Sequence, residues 1–131
     1  MRKWPEQVSR NFKLDDFRCP CCHDVDLNPF LVLALQWLRD RTGKPIVVMS
    51  GYRCPEHNNA IGVGASAESQ HLFGKAVDIQ CSGETPEDLA KFAEHIPYFR
   101  TGGIGIYDHH VHVDVREGAA RWDNRTERPQ I

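Results

Sequence analysis

The chain has 131 residues, 40% of them apolar, and a net charge of −2 at pH 7 with lysine and arginine dispersed along its length. That size supports one hydrophobic core rather than two, and the lack of a basic tract argues against a nucleic-acid partner. No apolar run reaches the ~20 residues that span a bilayer, and the opening MRKWPEQVSRNF lacks the apolar segment of a secretory signal.

Residues 1–18 are polar with isolated aromatics, Trp4, Phe12 and Phe17, and read as an extended N-terminal arm laid over a single domain that fills the chain. The FRCPCC segment that follows holds Cys19, Cys21 and Cys22, with Cys54 and Cys81 further on. This odd count leaves one thiol over if disulfides form, and C-P-C-C lacks the doubled C-x-x-C spacing of a zinc ribbon. Disulfides, reduced structural thiols and a second metal site therefore all stand as readings. No cysteine sits in a nucleophile pattern beside the histidines.

Asn28 and Pro29 supply an N-cap and a first-turn proline, and Gly43 a stop. Between them Phe30, Leu31, Ala34, Leu35 and Leu38 recur at helical spacing, which predicts a helix over about 29–42 with its apolar side on a sheet. Pro45 releases Ile46, Val47, Val48 and Met49, a continuous apolar run that reads as a buried central strand. Arg53 emerges just beyond it. Residues 54–70, with Pro55, Gly62 and Gly64, read as an irregular loop in which His57 is structural.

The densest stretch comes next. Ser69, His71, Gly74, Ala76 and Asp78 form S-x-H-x-x-G-x-A-x-D, and KAVDIQC reads as a buried strand entered through a glycine turn. A carboxylate in such a strand is costly unless its charge is compensated, and coordination of a metal by Asp78 would do that. Thr85, Pro86 and Asp88 cap a helix predicted over about 86–96, with His95 near its C-terminal end.

Gly103 to Tyr107 read as a strand that turns over at Asp108 to His110 into VHVDV. There Val111, Val113 and Val115 alternate with His110, His112 and Asp114, so valines pack on a core while metal-competent side chains line the other surface. These strands predict a small, mainly antiparallel sheet with flanking helices, an α+β fold, followed by a polar tail over 123–131 that frays after Trp122. An imidazole, a carboxylate and a distant second imidazole form the ligand set of a catalytic Zn²⁺ with one position left for water.

Four segments, SGYRCPEHN at 50–58, SQHLFGKAVDI at 69–79, GIGIYD at 103–108 and VHVDVREGAARW at 111–122, resemble the M15 zinc peptidases. The similarity is to the D-Ala-D-Ala carboxypeptidase-like branch of bacterial cell-wall and phage lysis enzymes. It implies a hedgehog/DD-peptidase-like fold and one Zn²⁺ held by His71, Asp78 and His112. It also implies an oxyanion-stabilising role for Arg53, a substrate contact by Ser69 and a local structural role for the cysteine patch.

The implied activity is hydrolysis of a peptide bond in peptidoglycan, by a monomer acting at the cell wall or periplasm, with a phage-encoded enzyme released through a holin as one route. Relatives often carry Asp or Glu three residues before the last zinc histidine, where this chain has His109. His110, in H-x-H with His112, is the preferred replacement base by strand parity, with His109 and Asp108 as further candidates. Asp114 is expected to orient a ligand imidazole, and Tyr107 to contact the tetrahedral intermediate or simply to pack. A zinc-stabilised binding module without turnover is the competing expectation, supported if His110 or His57 closed the metal shell.

Overall fold

The computed structural model describes residues 4–61 and 69–127. Its main sheet has five strands in the order β3 (Ile46–Ser50), β4 (Ala76–Cys81), β6 (Val111–Asp114), β5 (Gly103–Ile106) and β7 (Ala120–Asp123). All neighbours are antiparallel except β5 and β7, which run parallel. Helices α1 (Pro29–Thr42), α2 (Pro55–Ile61), α3 (Pro86–Ala93) and α4 (Pro97–Arg100) accompany it, and a two-stranded ribbon, β1 (Gln7–Ser9) with β2 (Phe12–Lys13), precedes it. The expected α+β fold is therefore present.

Local chemistry sets these boundaries. The Asn28 side chain accepts from the Phe30 amide, Pro29 occupies the first turn of α1, and Gly43 closes it with φ at 66°. Helix α3 starts where the Thr85 hydroxyl accepts from the Asp88 amide. It stops at Ala93 rather than continuing to residue 96, because the ring of Pro97 would strike the carbonyl four residues earlier. Ile96 is accordingly extended, and Pro97 starts the separate helix α4.

One face of the sheet carries Val77, Ile79, Ile104, Val111 and Val113, which are buried with Leu31, Leu35 and Leu38 of α1 and Leu89 and Ala93 of α3. The N-terminal residues join this core instead of lying over it as an arm. Phe12 is 2% exposed and Phe17 fully buried, their rings 6.2 Å apart. Widely spaced aromatics in a polar stretch were here core residues on short elements.

Three other expectations are corrected. Strand β3 is an edge strand, not a central one: among the described residues it pairs only with β4, and Val47 and Met49 are each 55% exposed. A continuous apolar run does not report how many neighbours a strand has. Within the expected loop over 54–70, residues 55–61 form α2, started by Pro55; Gly62 and Gly64 lie outside the described residues. Over 123–126 the tail is held by bonds rather than frayed: the Asn124 amide donates to the Ile106 carbonyl at 2.8 Å, and Asp108 accepts from the amide and hydroxyl of Thr126, while residues 128–131 lie outside the described residues.

Candidate metal centre

The opposite face of the sheet carries a single cross-strand row. Ser50 on β3 stands beside Asp78 on β4, Asp78 beside His112 on β6, His112 beside Gly105 on β5, and Gly105 beside Trp122 on β7. Residues in register on neighbouring strands share a face, so pairing alone gathers these groups. A bulge between Val48 and Ser50 turns Ser50 into the row.

His71 reaches the row from a 3₁₀ turn over Gln70–Phe73. The Ser69 hydroxyl accepts from the His71 amide at 3.3 Å and so caps that turn. Gly74 ends it at φ 67°, and a Cβ on Gly74 would collide with the Asp26 carbonyl. The turn is thus seated against residues 26–28, where the Asn28 amide donates to the Gly74 carbonyl.

His71, Asp78 and His112 are all buried, and one donor atom from each lies within 4.8 Å of the others. Asp78 Oδ1 stands 3.2 Å from both His71 Nε2 and His112 Nδ1. The outer nitrogens are also held: His71 Nδ1 donates to the Gly51 carbonyl at 2.8 Å, and His112 Nε2 to Asp114 Oδ2 at 2.6 Å. Because a carbonyl or carboxylate can only accept, each outer nitrogen carries the proton. A neutral ring would then turn its remaining lone pair toward a carboxylate oxygen, and a cation between them would reconcile the three acceptors.

Charge couples the same groups. Burial alone would raise the Asp78 pKa, but hydrogen bonds with His112 and His71 and their charge hold the carboxyl well below the usual range. Burial opposes a charged His112, yet Asp114 and Asp78 together lift its pKa above the ordinary imidazole value. Asp114, fully buried, is likewise held low against its burial by His112 and Arg116. It accepts from the Gly103 amide at 2.9 Å and from Arg116 Nη2 at 2.6 Å.

Arg53 Nη2 donates to Asp78 Oδ2 at 2.9 Å and its Nε to the Ser50 hydroxyl at 3.1 Å. The guanidinium is thereby fixed beside the donor cluster. His110 Nε2 lies 3.9 Å from the same Asp78 oxygen, and its ring stacks on Tyr107 at 4.4 Å. Burial chiefly lowers its pKa, which favours the neutral ring. The other two base candidates point elsewhere: His109 is exposed, and Asp108 is engaged by Thr126. His57 is not among the clustered donors, its amide donating to Cys54 Sγ at 3.4 Å.

Trp122 was not singled out by sequence reasoning. Its indole N–H donates to the Tyr107 hydroxyl at 2.9 Å, its ring lies 5.0 Å from the His112 ring, and the Arg116 guanidinium covers it. Ser50 and Arg116 were also passed over. Their position two residues from Tyr52 and Asp114 gives no periodic signal, although a basic residue two places after a buried acid is a pairing cue.

A family model described as Peptidase M15 matches residues 10–114. Among curated proteins the chain is similar to peptidoglycan L,D-endopeptidase MepK of Escherichia coli (strain K12). Identity there is 32% over 83 residues, covering 61% of this chain and 44% of the relative. It is also similar to the zinc D-Ala-D-Ala carboxypeptidase of Streptomyces albus G, 32% identical over 89 residues, covering 67% of this chain and 34% of that protein. The chain therefore spans less than half the length of these relatives.

Proposed function

Because the chain belongs to the peptidase M15 family, we propose that it hydrolyses a peptide bond in peptidoglycan stem peptides, using one Zn²⁺ held by His71, Asp78 and His112. The observation that carries this reading is the convergence of two imidazole nitrogens on one carboxylate oxygen, at 3.2 Å each. Borderline-soft Zn²⁺ suits such a nitrogen and oxygen set. When bound, the ion supplies a Lewis acid that polarises a carbonyl and activates water.

The chain's own groups supply the rest. Arg53 is held by Asp78 and Ser50 with further N–H donors available, which suits a developing oxyanion or a substrate carboxylate. His110 is the residue that takes a proton at Nε2 and returns it to the leaving amine; it is the base candidate nearest the donor cluster. Tyr107 orients His110 by stacking, and Asp114 keeps the His112 proton on its outer nitrogen. Ser69 acts on His71 by capping its turn.

The similarity to an endopeptidase and a carboxypeptidase supports either a stem or cross-link bond or a terminal D-Ala-D-Ala bond as substrate. Such a substrate places the activity at the cell wall or periplasm, with phage-mediated lysis as one setting. Digestion of purified peptidoglycan by the zinc-loaded protein, with mass spectrometry of the fragments, tests this. Cleavage that disappears in His112→Ala is expected and names the bond. Wall material retained without cleavage would instead establish a binding module on a peptidase fold.

A further inference from the structure

We propose that Cys19, Cys22 and Cys54 form a second metal site, distinct from the histidine centre, which takes a thiophilic divalent ion such as Zn²⁺. The three sulfurs lie within 4.8 Å of one another, and Cys19 Sγ is 3.6 Å from Cys54 Sγ. Two sulfurs at ~2.3 Å from a tetrahedral zinc stand about 3.8 Å apart, whereas a disulfide requires about 2.0 Å. The spacing found is too long for a disulfide and fits two ligands on one ion.

The backbone is arranged around sulfur. Cys19 and Cys22 have C-x-x-C spacing, and the turn between them is closed by the His23 amide donating to the Cys19 carbonyl and the Cys19 amide to the Asp24 carbonyl, each at 2.8 Å. His23 accepts a left-handed φ of 62° to make that turn. The Cys54 amide faces Cys19 Sγ at 3.5 Å and the His57 amide faces Cys54 Sγ at 3.4 Å, donors that stabilise thiolate charge. Binding replaces each thiol proton by a metal–sulfur bond and releases those protons to solvent.

The site would tie two distant segments together. Cys54 follows Arg53 directly, and the Tyr52 amide already donates to the Phe17 carbonyl at 2.9 Å. An ion bridging Cys19, Cys22 and Cys54 clamps the segment that carries Arg53 against the N-terminal part of the core. Cys81, on β4, takes no part and serves as the control.

The test is cobalt substitution of the full chain, purified under reducing conditions, with zinc content measured in parallel. Thiolate-to-cobalt charge-transfer absorption is expected in the wild type, His112→Ala and Cys81→Ser proteins, and its loss in Cys54→Ser. Thiol-reagent mapping of the wild type gives a readout independent of any variant's folding: Cys19, Cys22 and Cys54 should resist modification until a chelator is added. Absence of the charge-transfer band, free reactivity of those thiols before chelation, or a Cys19–Cys54 disulfide in the fresh protein would overturn the proposal.

Discussion

At the scale of single residues, the donor cluster depends on groups outside it. Asp114 holds His112 by its outer nitrogen, so Asp114→Asn should weaken zinc binding by about 10–100-fold, read by competition against a chelating dye, with the fold retained in circular dichroism. Arg53 is proposed to act by directional hydrogen bonds, which a lysine ammonium does not reproduce. Arg53→Lys should therefore lower kcat by about 10²–10³-fold on a peptidoglycan fragment. An unchanged kcat with a raised KM would reassign it to ground-state binding.

How much of this was legible follows from where each residue sits. His71, Asp78 and His112 stood in motifs with fixed spacing, and strand parity already placed His112 and Asp114 on one face. Trp122 was invisible because it arrives by parallel pairing of β7 with β5 after a turn, and no periodicity announces which strand a chain end will join. It fits because Gly105 leaves its position in the row empty: a Cβ there would collide with the indole. Asp108 looked available as a base, but its engagement by Thr126 depended on a tail that sequence alone marked as frayed.

At the scale of elements, the short turn that carries His71 is set by Gly74. Its positive φ and its contact with the Asp26 carbonyl leave no room for a side chain. Gly74→Ala should cost about 1–3 kcal/mol in denaturant unfolding and lower zinc affinity together with stability, since the same turn does both. The helices were readable from caps and spacing, as Asn28, Gly43 and Thr85 show. The N-terminal ribbon was not, because its apolar residues are too few to show a period. Phe17→Ala should cost about 3–5 kcal/mol by the same measurement; a loss under 1 kcal/mol would return residues 4–18 to the status of a surface arm.

At the scale of the whole molecule, metal and fold are linked. An ion that binds only the native state adds about 2.7 kcal/mol when free metal is 100-fold above its dissociation constant. Chelation should therefore lower Tm, and His112→Ala should show a smaller drop than wild type. If the thiol cluster also binds, a residual drop remains in His112→Ala and vanishes when Cys54→Ser is added.

The cross-strand row has a consequence for how the protein comes into being. Its members come from β3, β4, β6, β5 and β7, so the first and last strands of the main sheet both contribute to one line of side chains. No early portion of a growing chain contains a complete donor set, and closing the long connection between His71 and His112 must precede any benefit from binding an ion. The donor set is thus completed late in synthesis: a ribosome-bound fragment ending before β6 carries His71 and Asp78 but lacks His112.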